Sequence, residues 1–315
     1  MSAPSISSGR VLVVGSYNTD LVTFGGIPRR GETLLVERFE TLSGGKGANQ
    51  AIAAARLGAR VAFCGRVGND AHGEQARRLL IAEDVGDDGV VVDPSAHTGV
   101  AMVLVDRGGE NAIAVASGAN ANLSSQDLDQ RESLFADADV LLVQLETPLA
   151  TVHSALELGR RHGCINVLDP APAAPLSDEL LSLVDLLTPN ESEASSLLGC
   201  EVGDVDSALA AGRALRARGC GRAIVTLGAR GSVFVDCDAC WHVFAPSVPV
   251  VDTTGAGDAF NGALAAELAA GGSWLDSTRL ATRAAASSVG RSGVLRGLPR
   301  RQDLSNIQQP ETLQL

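Results

Sequence analysis

Short apolar runs alternate with alanine-rich segments of helical length along almost the whole chain, and this alternation narrows the possible folds most. Residues 10–15 (RVLVVG) read as a buried strand ending in glycine. Residues 47–58 (GANQAIAAARLG) read as a helix closed by a glycine. The rhythm continues with a strand at 60–65, a helix at 70–84, a strand at 139–145 and a helix at 148–162. Strands at 164–168 and 184–187 come next, then helices at 191–198 and 205–218 and a strand at 223–227. Two small-residue helices follow at 257–270 and 275–289. Strands alternating with helices of this length imply a mostly parallel central sheet flanked by helices on both faces, an α/β fold.

Two stretches break the rhythm. Residues 32–41 (ETLLVERFET), and 99–105 together with 112–116, are rich in β-formers without helices between them. Asp106-Arg107-Gly108-Gly109 supplies hairpin-turn chemistry between the last two. Such strands predict a small antiparallel β lid, drawn from about 17–43 and 96–120. No repeat and no Pro/Ser-rich linker appears, so 1–315 reads as a single domain.

Charge excludes some partners. Asp and Glu outnumber Lys and Arg by 37 to 25, a net charge of −12. Such a surface repels phosphate backbones and anionic lipid, so neither nucleic acid nor membrane is expected as a partner. The opening MSAPSISSGR lacks an apolar targeting core, and no run approaches the roughly 20 apolar residues of a membrane span. A cytoplasmic location is the expectation. Of the six cysteines, only Cys237 and Cys240 have CxxC spacing, with no second pair to complete a zinc set. Cys64, Cys164, Cys200 and Cys220 sit among apolar residues and read as small buried hydrophobes. Lys46 is the single lysine, and it stands in the most glycine-rich stretch of the N-terminal half. That points to a site suited to a compact ammonium rather than a guanidinium fork.

Four motifs carry chemistry. Asp252-Thr-Thr-Gly-Ala-Gly-Asp258 opens a helix, so the amides of Gly255, Ala256 and Gly257 and the helix dipole form an anion site. Asp258, in the first turn, faces whatever those amides hold. A carboxylate there suits phosphoryl transfer, in which a base takes the proton of the attacking hydroxyl while amides stabilise the moving group. Ser43-Gly-Gly-Lys46-Gly-Ala-Asn49 is a second glycine loop entering a helix, but not a Walker A loop. Its donors Lys46 and Asn49 suit a polyhydroxylated ligand. In Thr188-Pro-Asn190-Glu-Ser-Glu193, Asn190 and Glu193 share a helix face. They read equally as hydrated Mg²⁺ ligands or as a capping pair. Thr226-Leu-Gly228-Ala-Arg-Gly231 is a glycine turn after a strand that suits the edge of a nucleotide.

Taken together, these motifs, with Gly15-Ser-Tyr-Asn18-Thr-Asp20, Val143-Gln-Leu-Glu146 and Asp169-Pro-Ala-Pro-Ala173, resemble the ribokinase-like (PfkB-type) sugar kinases. The resemblance covers almost the full length. The combination GGKGANQA, QLETP, PAPA and DTTGAGDAFNGA is similar to the ribose-phosphorylating branch of that family. The resemblance implies ATP-dependent phosphorylation of D-ribose at its 5-hydroxyl, on a ribokinase-like fold whose lids clasp in a homodimer. It implies ribose contacts at Asn18, Asp20, Gly45, Lys46, Asn49, Glu146 and Asp258. Asp258 would be the general base, beside the anion hole of Gly255, Ala256 and Gly257. Asn190, Thr226, Gly228, Gly231 and Gly257 would line ATP, with Glu193 organising Mg²⁺ through water. Asp252, Thr254, Ser288, Arg291 and Gly293 would hold K⁺, mostly through carbonyls.

Two departures stand out. The family's cation loop often ends in a Gly-Ala-Gln-Pro-Ser-like run, where this chain has Gly293-Val-Leu-Arg-Gly297, without a side-chain oxygen at 297. Asp169 stands where the family commonly has Asn. Alternative readings are a kinase for deoxyribose or for a keto-deoxy acid, for which Arg29, Arg30 and Arg107 are available. From another class, the rival reading is a non-catalytic sugar- or nucleotide-binding regulator. Intact Asp258 and its glycines argue against the regulator.

Overall fold

The computed structural model describes residues 9–108 and 110–315. The opening MSAPSISS and Gly109 of the hairpin turn lie outside the described residues. The first seven strands are β1 (Arg10–Val14), β2 (Asn18–Phe24), β3 (Arg38–Gly44), β4 (Arg60–Gly68), β5 (Val85–Asp93), β6 (Gly99–Val105) and β7 (Asn111–Ala116). The second seven are β8 (Val140–Val143), β9 (Ile165–Leu168), β10 (Leu186–Leu187), β11 (Arg222–Thr226), β12 (Ser232–Val235), β13 (Cys240–Val243) and β14 (Thr312–Gln314). The helices begin with α1 (Lys46–Arg56), α2 (Ala71–Ala82), α3 (Ser125–Asp129), α4 (Glu132–Ala136), α5 (Leu149–His162) and α6 (Asp178–Leu181). They continue with α7 (Glu191–Leu198), α8 (Val205–Ala217), α9 (Ala256–Ala269), α10 (Trp274–Ser288) and α11 (Val294–Gly297).

The main sheet runs β14-β13-β12-β11-β10-β9-β8-β1-β4-β5. It is parallel from β11 to β5 and antiparallel from β11 through β14. Strand β1 shows why the sheet is sandwiched. Val11 and Val13 pack with α1, α9 and α10, whereas Leu12 and Val14 pack with α5 and α8 on the other face. Successive side chains of a strand point to opposite faces, so an unbroken apolar run needs cover on both. Among the described residues, no helix is long and apolar enough to cross a membrane.

A second sheet, ordered β3-β2-β6-β7, carries the strands outside the parallel layer. It differs from the expected antiparallel flap because β2 and β6 pair in parallel. The chain crosses the main sheet through β4 and β5 before β6 begins, so β6 returns in the direction of β2. The strand expected at 32–41 starts only at Arg38, where it meets Phe24. The apolar run before it pairs with no strand among the described residues, and Leu35 is 91% exposed. Strands β5 and β12–β14 were not foreseen. β5 (VGDDGVVVD) lies at the sheet edge and is interrupted by aspartates and glycines, while β12–β14 are three or four residues long.

The two alanine-rich helices α1 and α9 lie unusually close. A Cβ on Gly262 of α9 would come within 2.5 Å of the Ala53 Cβ and 2.7 Å of the Gln50 carbonyl oxygen. Backbone atoms cannot rotate away from such an overlap. Overpacking of a core costs about 1–3 kcal/mol and more where backbone must move. Gly262→Val is therefore expected to lower stability by at least that amount in urea unfolding; an unchanged midpoint would contradict the close contact.

Candidate active site

The N-terminus of α1 is seated on the turn after β1. Gly45, its N-cap, has φ of 90°, and a Cβ there would fall 2.7 Å from the Asn18 amide nitrogen. Glycine is thus the residue that lets this loop lie against the Tyr17–Asn18 backbone. The Ala48 N–H donates to the Ser16 carbonyl at 2.9 Å, fixing the same contact. As a result Lys46, Asn49 and Gln50 present their side chains toward the start of α9.

Asp258 is buried in the first turn of α9, and both its oxygens are held. Asn49 Nδ2 donates to Oδ2 at 2.9 Å, and Gln50 Nε2 donates to Oδ1 at 3.1 Å. Gln50 Nε2 also donates to Asp169 Oδ2 at 2.7 Å, and Gln50 Oε1 accepts from Gln144 Nε2 at 2.6 Å. Glu146 Oε2 accepts from the Lys46 backbone N–H at 3.0 Å and from the Ser16 hydroxyl. Asn18 Oδ1 accepts from Asn120 Nδ2 at 2.9 Å. The Asp20 carboxylate lies over Gly44, where a Cβ would stand 2.4 Å from its Oδ2. The sugar-contact candidates therefore converge on one region. Beside them is a cavity of about 330 Å³ lined by Asn18, Asn120, Glu146, Thr147 and Val115. A larger groove of about 730 Å³ runs along α10, but it contains none of the candidates. Its Arg283 and Arg301 are spent on carbonyls of Ile307, Leu304 and Leu57.

The region is overloaded with carboxyl groups. Asp169, Asp258, Glu146 and Glu193 act on the one ammonium of Lys46, and Asp20 adds a fifth carboxyl beside Glu146 and Asp258. Burial, reinforced by Glu146 and Asp258, pushes Asp20 up to about 7. Burial also pushes Asp169 up to about 8, with Lys46 opposing and Glu193 and Asp258 adding to it. Asp258 and Glu193 are raised as well, chiefly by burial. For Lys46, burial disfavours the charge, yet Asp169, Asp258, Glu146 and Glu193 outweigh it and raise its pKa. These directions follow from desolvation and like-charge repulsion acting together.

The nucleotide candidates form a second group. Asn190 and Thr226 are bridged as a β pair, and the Thr226 N–H donates to the Pro189 carbonyl at 2.9 Å. Gly228 and Gly231 flank a single 3-10 turn after β11. Asn190 and Glu193 form the capping box of α7: Asn190 Oδ1 accepts from the Glu193 N–H at 2.9 Å, and Glu193 Oε2 from the Asn190 N–H at 2.8 Å. One oxygen of Glu193 is thereby committed to the helix end. Asn261 ties this loop to α9, accepting from Thr188 Oγ1 at 2.7 Å and donating to the Gly257 carbonyl at 3.1 Å. Of the three anion-hole amides, that of Ala256 donates to the Thr253 carbonyl at 3.2 Å.

The cation candidates gather around Asp252. Its Oδ1 accepts from the Thr254 N–H and its Oδ2 from the Gly293 N–H, both at 2.9 Å. Burial opposes ionisation of Asp252, but these donors prevail and hold its pKa low. The Gly293 carbonyl accepts from the Gly297 N–H in α11, and the Ser288 carbonyl from the Arg291 N–H. The Arg291 guanidinium pairs with Asp303. Elsewhere, Cys200 is exposed rather than buried, Cys237 is exposed and Cys240 buried. Among the described residues no cluster of three His, Cys, Asp or Glu is arranged to hold a metal.

Sequence reasoning missed Gln50, Gln144, Asn120 and Asn261. The available signal was an uncharged polar residue inside an apolar run, as in ANQAIAAA and VLLVQL.

The profile of the pfkB family carbohydrate kinases matches residues 8–301. The chain belongs to the pfkB family of carbohydrate kinases. It is 41% identical over 293 residues to the ribokinase of Haemophilus influenzae, covering 92% of this chain and 95% of that one. It is 38% identical to the deoxyribokinase of Salmonella typhi over 257 residues, 81% of this chain and 84% of the relative. The fold matches that of Arabidopsis thaliana ribokinase complexed with ribose and ATP, with a TM-score of 0.88 at 31% identity, covering 95% and 98% of the two chains.

The electrostatics set a pH signature. The folded pKa of Asp169, about 8, lies above its ordinary 3.8, so the folded state binds the extra proton. The stability this confers is complete below about pH 4 and is lost as pH rises through 8. Asp169→Asn keeps the acceptor for Gln50 and removes the charge. Its melting temperature is expected to exceed that of the parent above pH 8, with the gap closing toward pH 4; parallel curves would overturn this assignment.

Proposed function

We propose that the protein transfers the terminal phosphoryl group of ATP to the 5-hydroxyl of D-ribose, giving D-ribose 5-phosphate and ADP. What carries this reading is the placement of Asp258. It is a buried carboxylate, oriented by two amides, at the helix N-terminus where the sugar-contact and anion-hole candidates meet. Its role is to take the proton of the attacking hydroxyl. Asn18, Asp20, Gly45, Lys46, Asn49 and Glu146 pair the sugar hydroxyls. Asn49 Oδ1 is a buried acceptor with no hydrogen-bond partner among the described residues, and a ribose hydroxyl would satisfy it. The Gly255 and Gly257 amides receive the phosphoryl oxygens, joined by Ala256 once its N–H leaves the Thr253 carbonyl. Asn190, Thr226, Gly228, Gly231 and Gly257 line ATP. The use of ATP fits a cytoplasmic location.

The excess of carboxyl groups over one ammonium suits Mg²⁺, held by Glu193 through water on the oxygen the capping box leaves. When bound, Mg²⁺ neutralises charge on the phosphoryl oxygens. K⁺ fits less well. Asp252, Thr254, Ser288, Arg291 and Gly293 offer carbonyls, but those of Ser288 and Gly293 already accept backbone N–H groups and Gly297 adds no oxygen. Activation by K⁺ is accordingly weak.

The second sheet is the lid of a single kinase domain. Asp20, Val22, Ala101 and Val103 share one face of that sheet by register, and this face is the one assigned to the sugar on our reading. Leu21, Phe39, Met102 and Leu104 lie on the opposite face. Met102 is 50% and Phe39 57% exposed there, an apolar face that a second copy of the lid would cover. That exposure supports a homodimer held through the lids. Met102→Asp is expected to convert it to a monomer in sedimentation at fixed concentration; a monomeric parent protein would overturn the lid contact.

Deoxyribose is the second reading, favoured by the deoxyribokinase relative. In a coupled ADP assay, ribose is expected to exceed deoxyribose and hexoses in kcat/KM, and fructose turned over as well as ribose would overturn the assignment. Asp258→Asn is expected to lower kcat by at least ~100-fold while the Kd for ATP stays within a few-fold. An intact kcat with only a higher KM for ribose would place the base elsewhere.

A further inference from the structure

We propose that Gln50 is the positioning residue of Asp258 and that Gln144 fixes Gln50, so that two buried amides in series aim the carboxylate at the sugar hydroxyl. The proposal rests on the reading of Asp258 as the base. Both glutamines are fully buried, and each is bonded along the chain Gln144 to Gln50 to Asp258 already described. Gln50 divides its amide hydrogens between Asp258 Oδ1 and Asp169 Oδ2. An ionised Asp258 only accepts, so Gln50 must turn its nitrogen toward it and its oxygen toward Gln144. Gln144 then has to donate. Its own oxygen has no partner among the described residues and lies against Gly15, where a Cβ would stand 2.1 Å away. A buried unpaired oxygen costs stability, so this orientation persists only because the rest of the chain of bonds demands it.

The two donors on Asp258 divide the labour. Asn49 is a candidate sugar contact, so its loss moves sugar affinity as well as rate. Gln50 reaches Asp258 from α1 and is itself held at the same time by Asp169 and Gln144, so it restrains the carboxylate without touching the sugar side. With Asn49 alone, the carboxylate turns about its terminal torsion and its free lone pair leaves the hydroxyl. With both, the plane of the carboxylate is defined. The charged and titratable groups facing Asp258 are Lys46 of α1, Asp20 of β2, Glu146 after β8 and Asp169 after β9, with Glu193 of α7 acting on Lys46 and Asp169 beyond them. All of these are retained when Gln50 is changed, so the loss of its N–H alone raises the proton affinity of Asp258.

The test uses the full-length enzyme with Gln50→Met, Gln144→Met and the double variant, each compared with Asp258→Asn. Gln50→Met is expected to lower kcat on the order of 10–100-fold through misalignment, with KM for ribose and the Kd for ATP held within a few-fold. The acid limb of its kcat profile moves to higher pH. Gln144→Met gives a smaller fall in kcat and the same shift in direction, and adds nothing to Gln50→Met in the double variant. An intact kcat in Gln50→Met alongside a dead Asp258→Asn would overturn the positioning role while leaving the base in place. An intact kcat in Asp258→Asn would instead remove the base, and the proposal with it. Additive losses from the two glutamines would overturn the series arrangement. If Gln50→Met fails to fold, an unchanged kcat in Gln144→Met overturns the proposal by itself.

Discussion

The contact between α1 and α9 is the constraint on which the site depends. Each helix begins at a glycine turn, each carries small residues along the shared face, and Gly262 of α9 lies directly against the Ala53 methyl and the Gln50 carbonyl of α1. That separation brings the short amides of Asn49 and Gln50 within 2.9 and 3.1 Å of the Asp258 oxygens. A larger residue at the contact would push the helices apart by more than a hydrogen bond tolerates. The alanine content of both helices is therefore a geometric requirement of the site as much as a matter of helix propensity.

Charge imbalance is the second consequence of that geometry. Converging helices and strand ends gather four carboxyl groups around Lys46 and a fifth, Asp20, beside two of them, and burial leaves little water to screen them. Protons make up part of the deficit, as the raised values for Asp20 and Asp169 show. A site in this state favours a ligand that brings hydroxyl donors and a divalent cation, because both relieve repulsion that the folded chain otherwise carries. The lone lysine fits the same logic, since a compact ammonium reaches several carboxylates where a planar guanidinium would address two.

What was legible in the sequence was whatever is written locally. The strand and helix alternation reflects burial on both sheet faces, and glycine loops with charged residues mark helix N-termini, so the fold class and the motif residues could be read directly. The tertiary partners could not. Gln50 and Gln144 carry no charge and sit in apolar runs, and only the packing of α1 on α9 and β8 gives them a carboxylate to serve. Strand β3 was misplaced because ETLLVERFET has β-forming residues on both sides of its true start, and the partner strand alone decides the register. Edge strand β5 was hidden by its aspartates, which edges tolerate because one side faces solvent. Cys200 reads as buried from its neighbours but follows the glycine that ends α7, where the chain turns outward.

Asn190 and Glu193 show why two readings of one motif need not compete. The capping box satisfies two orphan N–H groups, which stabilises a helix start by about 1 kcal/mol. It uses one oxygen of Asn190 and one of Glu193, and it holds both side chains in a single rotamer. The second carboxylate oxygen of Glu193 is thereby fixed in direction without further cost in side-chain entropy. The water-mediated Mg²⁺ contact proposed for Glu193 would draw on that oxygen, since an intervening water tolerates variation in distance more than in direction. The same two residues thus end a loop, start a helix and orient a charge, and the pairing of Asn190 with Thr226 places that charge beside the turn that would carry the nucleotide.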